Sequence, residues 1–200
     1  MSLDAVSEHT AKVILWLEQD PLRQRALAQA AELRLPDWCI AAGFVRNLIW
    51  DRLHGRRRST PLNDIDLIYF DPTDSSRGRD KRTEEQLRGK SGLNWSVKNQ
   101  ARMHVRNDDE PYSSTSHAMS YWVEVETAIG ARLVEQGGEI ELVAPFGVRH
   151  LFEQTITLNP KRRKPEAFRE RIRKKAWLET WPKLRVIETA GFETRNTRSV

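Results

Sequence analysis

The order of the predicted elements indicates an α/β (α+β) fold, in which helices pack on a mixed sheet. Three observations predict this class. Two helical patterns begin the chain, and short apolar runs of strand type then alternate with helical patterns. Residues 131–135 and 139–143 flank Gly137-Gly138, which is typical of a tight β-hairpin. We expect three parts in 200 residues: N-terminal helices at 1–37, a core at 38–160, and a basic C-terminal helix and tail at 161–200.

The two N-terminal helices are predicted from apolar stripes at helical spacing. The first covers residues 6–19. The second begins at Asp20-Pro21, with Asp20 as a candidate N-cap and Pro21 at the first helical position. It ends before Leu35-Pro36. We expect a packed helical hairpin that carries no chemistry.

The core elements follow in order along the chain. Apolar, β-branched and aromatic residues predict three strands, at residues 38–42, 64–70 and 95–98. Helical patterns lie between and after these strands, at residues 45–53, 83–88 and 115–129. A capping box formed by Thr83 and Gln86 is predicted to start the second of these helices, and residues 113–115 to cap the third.

Basic charge is concentrated near the C-terminus. The formal net charge is +5, but residues 161–185 hold eleven basic and three acidic residues and therefore carry +8. An apolar face with Phe168, Ile172 and Trp177 predicts that this helix docks on the body. Its remaining Arg and Lys residues could be solvated, could bind nucleic-acid phosphate, or could point towards a nucleotide triphosphate.

Composition and motif content exclude several classes of protein. No apolar run approaches the roughly 20 residues that a membrane span needs, and the N-terminal residues do not resemble a secretory signal, so we expect a cytoplasmic protein without a membrane partner. The lone Cys39 excludes an internal disulfide and a CxxC site. Neither a P-loop, a GxGxxG fingerprint nor an HExxH pair occurs.

Asp64 and Asp66 form the candidate site. Side chains two residues apart on a strand share a face, so both carboxylates point the same way. Two like charges at close range repel unless a cation neutralises them, and Mg²⁺ commonly takes one or two carboxylates plus substrate phosphates. The acid-x-acid pattern alone is weak, since Glu124-x-Glu126 and Glu139-x-Glu141 match it too.

A feature upstream makes the aspartate pair more specific. An apolar strand ends at Gly43, where the backbone can approach a ligand, and the helix that begins there presents free N–H groups to an anion. Arg46, in the first turn, can fork onto phosphate oxygens. A nucleoside triphosphate bound to Mg²⁺ would satisfy both features.

The motifs at residues 42–47 (AGFVRN) and 62–67 (LNDIDL) resemble the nucleotidyltransferase superfamily of DNA polymerase β. Within it, the chain is similar to the head domain of tRNA CCA-adding enzymes and bacterial poly(A) polymerases. It looks most like a family of small bacterial nucleotidyltransferase-like proteins. The resemblance covers roughly residues 38–182 and implies a polymerase β-type fold. The longer motifs that support the last match lie at 95–104, 111–115, 144–147 and 177–182.

The resemblance implies transfer of a nucleoside monophosphate from an NTP to an acceptor hydroxyl by a two-metal mechanism. Asp64 and Asp66 would hold Mg²⁺ or Mn²⁺, and Glu141, flanked by apolar residues, would be the third acid. The family's Gly-Gly or Gly-Ser pair is matched here to Gly43-Phe44. The nucleotide-binding candidates are Gly43, Phe44, Arg46, Asn47, Lys98, Asn99 and Arg102.

Several alternatives remain open at this point. Lys98, Asn99 and Arg102 could equally end the third strand and face solvent. The protein could be a catalytically degenerate nucleotide- or RNA-binding protein of the same fold, or an interaction module that uses its tryptophans and basic helix. The acceptor could be a small molecule, a protein or a short RNA, with nucleic-acid contact through residues 161–185. Transfer to tRNA is disfavoured, because 200 residues leave no room for the additional tRNA-gripping domains of the tRNA-processing relatives.

Overall fold

The computed structural model describes residues 3–134 and 138–188. The helices in chain order are α1 (Leu3–Glu18), α2 (Pro21–Ala31), α3 (Gly43–Leu53), α4 (Arg77–Ser91), α5 (Met103–Asn107), α6 (Thr115–Met119), α7 (Arg149–Phe152), α8 (Pro165–Lys175) and α9 (Trp177–Thr180). The strands are β1 (Cys39–Ala41), β2 (Ile65–Tyr69), β3 (Trp95–Asn99), β4 (Gly130–Leu133), β5 (Ile140–Val143), β6 (Thr155–Thr157) and β7 (Arg185–Ile187).

Five strands form the main sheet in the order β3-β2-β1-β4-β5. β2 and β3 run parallel, whereas β1 is antiparallel to both β2 and β4, and β4 to β5. This mixed sheet with packed helices confirms the predicted fold class. The β4–β5 pair confirms the predicted hairpin, although residues 135–137 of its turn lie outside the described residues. A second sheet consists of β6 and β7, which pair in parallel.

The N-terminal helices are confirmed close to their predicted bounds. The Asp20 side chain caps α2 by accepting a hydrogen bond from the Arg23 backbone N–H at 3.0 Å, and Pro21 takes the first helical position. Val13 and Leu17 of α1 and Leu27 of α2 are fully buried in the core that α3 shares. The hairpin therefore stabilises the sheet from one side.

Two helix boundaries differ from the sequence-based expectation. Thr83 is not a cap but lies in the middle of α4, where its hydroxyl donates to the Arg79 carbonyl at 2.9 Å. Ser76 caps this helix instead, so the helix begins earlier than predicted. The helix expected at 115–129 ends at Met119. It stops because the buried Asn159 amide donates to the backbone carbonyls that follow, those of Ser120 (2.8 Å) and Trp122 (2.7 Å).

The C-terminal segment docks on α3, as its apolar face predicts. Phe168 of α8 is completely buried, and Trp177 and Trp181 pack edge-on against Trp50, with ring centroids 6.0 and 5.1 Å away. The Trp181 indole also donates a 2.8 Å hydrogen bond to the buried carboxylate of Asp51. Within the described ranges, no helix is long and apolar enough to cross a membrane.

Candidate active site

Asp64 and Asp66 lie where β2 begins. Asp64 precedes the strand and is exposed, whereas Asp66 is half-buried and pairs in register with Ala41 of β1 and Ser96 of β3. Burial raises the pKa of Asp66, and the negative charge of Asp64 raises it further. The two carboxylates therefore form the strained like-charge pair that the spacing predicts, and a cation between them would relieve the repulsion.

A cavity of about 520 Å³ joins the two carboxylates to the N-terminus of α3. It brings together Asp64, Asp66, Gly43, Arg46 and Asn47 of the sequence-predicted residues. The C-terminal segment closes another side of the same cavity, with Arg171 and Lys175 from α8 and Trp177, Thr180 and Trp181 from the turn and helix that follow.

The turn between β1 and α3 corrects the assignment of the glycine pair. Ala42 has a φ of +57° and a ψ of −120°, a conformation that favours glycine. Ala42-Gly43, rather than Gly43-Phe44, therefore occupies the position of the Gly-Gly pair. Phe44 is 1% exposed in the core, and its backbone carbonyl accepts a 2.6 Å hydrogen bond from Arg23 Nε. Its side chain does not line the cavity, so a nucleotide contact by Phe44 would be limited to its backbone N–H in the first turn of α3.

Arg46 is a fixed, buried cation beside the carboxylates. Its guanidinium donates to Thr127 Oγ1 at 2.7 Å and to Asn47 Oδ1 at 3.0 Å. It packs against two indole rings that contact each other, with Cζ 5.0 Å from the Trp50 centroid and 4.5 Å from that of Trp177. Burial lowers the pKa of Arg46 to about 10, partly opposed by the charge of Glu124, so the group stays protonated at neutral pH.

Asn99 has a structural role. It is completely buried, and its amide donates to the backbone carbonyls of Asp71 (2.7 Å) and Asp74 (3.0 Å) while its carbonyl oxygen accepts from the Ala101 N–H at 3.0 Å. These bonds tie β3 to the loop after β2. The side chain therefore has no group left for a nucleotide, which corrects its assignment as a binding residue.

Lys98 and Arg102 lie on either side of Asn99 in the sequence. Arg102 is paired with the buried Asp80 and faces a groove that the aspartate pair does not line. Lys98 lines that groove and also a second cavity, of about 340 Å³, that contains Asp66. The structure thus brings Lys98 near the carboxylates and leaves Arg102 apart from them.

The structure does not bring Glu141 to the aspartate pair. β5 is separated from β2 by β1 and β4, and the register aligns Asp66 with Ala41, Gly130 and Val143. Three steps of about 4.8 Å between strands put β5 roughly 14 Å from β2. Glu141 instead receives a 2.7 Å hydrogen bond from Arg132 Nε on the neighbouring strand. We therefore leave Glu141 out of the site.

With Glu141 left out, no other described side chain joins Asp64 and Asp66 to form a set of three metal ligands. Among the residues with described positions, no group of three or more His, Cys, Asp or Glu side chains could hold a metal ion. The residue that the sheet places beside Asp66 on β3 is Ser96, whose hydroxyl interacts with that carboxylate. Of the described carboxylates, Asp64 and Asp66 line this cavity, whereas Glu124 lines the neighbouring cavity with Asp66 and is paired with Arg171.

Sequence reasoning named the basic helix as a whole but did not single out the residues of α8 that line the cavity. Arg171 bonds the buried Glu124 carboxylate through Nε at 2.6 Å, and Lys175 lies one turn further along the same helix. The signal was present as the i, i+4 spacing of two cations next to the tryptophan motif. Which cations of a basic helix face the body depends on tertiary docking, however, and the apolar stripe gives that orientation only approximately.

Comparisons with known proteins agree with this architecture. Residues 28–186 match the family model described as Nucleotidyltransferase. An NMR structure described as revealing a CCA-adding enzyme head domain is 31% identical in sequence, with a TM-score of 0.79. The match covers 90% of this chain and 96% of that one. A CCA-adding enzyme in complex with CTP has the same fold at 18% identity, with a TM-score of 0.52; the match covers 92% of this chain and 43% of that one. No curated protein matches the sequence.

The family match covers most of the chain, and the solved head domain matches over nearly its whole length. Both support nucleotidyl transfer in general. With the carboxylate pair at the start of β2 and the helix N-terminus facing it, the chain belongs to the nucleotidyltransferase family and has the fold of the CCA-adding enzyme head domain.

Proposed function

We propose that the protein transfers a nucleoside monophosphate from an NTP to an acceptor hydroxyl. The observation that carries this proposal is the single cavity in which Asp64 and Asp66 face the N-terminus of α3 and the guanidinium of Arg46. A volume of about 520 Å³ lies within the range of small-molecule sites. The family membership of the chain supports the same class of reaction.

The N-terminus of α3 is suited to the triphosphate. Its N-cap, Ala42, has no side chain that can hydrogen-bond the first N–H groups, and the first turn contains no acidic residue. The first described amides to be bonded within the helix are those of Val45 and Arg46, which donate to the Ala42 carbonyl at 3.2 and 3.0 Å. The end of the helix dipole therefore stays open to an anion.

The carboxylate pair fits a divalent cation. Two oxygen-donor side chains at the start of one strand, one of them with a raised pKa, are a donor set that Mg²⁺ or Mn²⁺ takes together with substrate phosphates. Asp64 and Asp66 would hold such an ion. It would supply Lewis-acid stabilisation of phosphate charge and lower the pKa of the acceptor hydroxyl. A two-metal arrangement would draw its remaining ligands from the triphosphate.

Arg46 acts as a preorganised cation for the phosphates. The hydrogen bond to Thr127 and the packing against Trp50 and Trp177 hold its guanidinium in place before a ligand arrives. Charge that is already oriented and partly desolvated stabilises a developing negative charge without reorganisation. The indole rings also exclude water from one side of the group, which strengthens its interaction with phosphate oxygens.

The proposal is tested by transfer of label from α-³²P NTPs to RNA or small-molecule acceptors in the presence of Mg²⁺. Asp64→Asn and Asp66→Asn should each reduce transfer by at least about a hundredfold, since each removes a charged ligand. Asp108→Asn is the matched control, because Asp108 is exposed and has a φ of +57° that asparagine tolerates. Absence of Mg²⁺-dependent transfer with all four NTPs would overturn the proposal.

One observation favours a second candidate, a nucleotide-binding protein of the same fold without catalysis. Among the described residues, no group of three or more His, Cys, Asp or Glu side chains could hold a metal ion, and Glu124, which lines a cavity with Asp66, is paired with Arg171. This candidate predicts NTP binding that depends on Arg46, with no transfer to any acceptor. Equilibrium binding of NTP next to the transfer assay separates the two functions.

A further inference from the structure

The cations of α8 fall into two groups. Arg169 and Lys174 point away from the site and pair with Glu188 and Glu170, each at 2.6 Å. Arg171 and Lys175, four residues apart, line the cavity that contains Asp64 and Asp66. The helix therefore turns one basic edge towards the site and another towards solvent.

The cations that line this cavity differ in whether they already form an ion pair or a hydrogen bond with another residue of the protein. Arg171 forms a 2.6 Å ion pair with Glu124, which is 1% exposed. Arg46 is fixed by Thr127 and the two indoles. Lys175, in contrast, is exposed and forms neither a hydrogen bond nor a salt bridge with any residue whose position the structure describes. It is the cavity cation that remains available to a ligand.

The backbone of Lys175 is held in place by the residues that follow it, although its side chain forms no hydrogen bond or salt bridge with a described residue. The next residue, Ala176, takes a left-handed conformation with a φ of +49° and ends α8. Trp177 follows, 3% exposed and packed against Trp50 and the Arg46 guanidinium. Lys175 and Asp66 line the same cavity. The Lys175 ammonium group is thus kept on the side of the cavity that faces the carboxylates.

We propose that Lys175 binds the polyphosphate of the nucleotide, so that the C-terminal helix forms part of the triphosphate site. The inference rests on the proposed function and adds a subsite to it. The ligand class is a nucleoside triphosphate or its inorganic polyphosphate portion, because an ammonium group opposite a helix N-terminus and Arg46 surrounds a multiply charged anion with positive charge. A nucleoside monophosphate does not extend to this subsite.

The test measures equilibrium binding of each NTP, the corresponding NMP and inorganic tripolyphosphate, all with Mg²⁺, to the full chain. Lys175→Gln should weaken NTP and tripolyphosphate binding about tenfold or more and leave NMP affinity unchanged. Lys175→Arg should retain most of the affinity. The matched control is Lys174→Gln, which removes the neighbouring cation of the same helix and should bind all three probes as the wild type does. Because Lys175 is exposed, its variants are expected to fold normally, which circular dichroism checks.

The outcomes separate this inference from the proposed function. Unchanged NTP affinity in Lys175→Gln, or equal loss of NTP and NMP affinity, would overturn the inference. If an RNA probe added to the same assay loses affinity for Lys175→Gln while NTP affinity stays intact, the inference is also overturned and the helix is assigned to nucleic acid instead. A wild type that binds NTP through Lys175 but transfers no label would support the inference while the transferase proposal fails.

Discussion

Replacing Ala42 by glycine tests the backbone turn that aims α3 at the carboxylates. Ala42 has a φ of +57°, and holding a residue other than glycine in such a conformation costs about 1–3 kcal/mol. Glycine removes this strain but loses about 0.4–1 kcal/mol through the more flexible unfolded chain. It also loses one nearly buried methyl group, worth about 0.8 kcal/mol. With strain of about 2 kcal/mol, the net gain is about 0.5 kcal/mol.

The neighbouring residue provides the matched control. Ala41 is 1% exposed, lies in β1, and has no positive φ. Ala41→Gly therefore loses the methyl group and chain entropy without relief of strain, a cost of about 1.5 kcal/mol. The two variants should differ by about 2 kcal/mol, or roughly 4–8 °C in Tm for a chain of this size.

Urea unfolding followed by tryptophan fluorescence, together with thermal unfolding by circular dichroism, measures this difference. We expect Ala42→Gly to equal or exceed the wild type and Ala41→Gly to fall below it. Equal destabilisation of both variants would refute the reasoning, because it would show that Ala42 is not strained. NTP affinity should be retained in Ala42→Gly, since glycine leaves the helix N-terminus open.

Two further predictions concern the same cavity. A Cβ on Gly43 would lie 3.4 Å from Asn47 Nδ2 and 3.6 Å from Arg46 Nη2, which is ordinary contact. Gly43→Ala should therefore keep the stability of the wild type or raise it by about 0.4–1 kcal/mol, while NTP affinity, measured by calorimetry, falls about tenfold. Unchanged NTP affinity would contradict a close approach of phosphate to this backbone. The pKa of Asp66 is raised in the folded protein above the value of about 3.9 that an Asp has in an unfolded chain. The wild type therefore loses stability as the pH rises through the interval between these two pKa values, whereas Asp66→Asn has no carboxyl group and does not lose it. In urea unfolding without divalent ions, Asp66→Asn should be more stable than the wild type at pH 7, and this difference in stability should disappear near pH 3.5. A difference that does not depend on pH would exclude the titration of Asp66 as its cause.

The parts of the site that the sequence predicts are those that depend on local geometry. The shared face of Asp64 and Asp66 follows from the two-residue repeat of a strand. The predicted anion site at Gly43 follows from a strand that ends where a helix begins. Both are fixed by neighbours within a few residues, and the structure places these groups in one cavity.

The remaining assignments depended on contacts distant in sequence. Glu141 matches the pattern of an acid between apolar residues, but strand order, which the pattern does not contain, puts β1 and β4 between it and Asp66. Asn99 looks like a free polar residue after a strand until its bonds to the loop after β2 are seen. Lys175 belongs to the site through the docking of α8, which burial of Trp177 determines.

The packing of the Arg46 guanidinium against Trp50 and Trp177 has a consequence for biosynthesis. The carboxylates and the first cation emerge from the ribosome at positions 46, 64 and 66, whereas Lys175 and the second indole follow more than a hundred residues later. A nascent chain released only as far as β6 contains both carboxylates and the Arg46 guanidinium, but not the Trp177 indole that packs against this guanidinium. The cavity that these groups line is thus complete only after α8 and α9 have been synthesised and have folded onto the body.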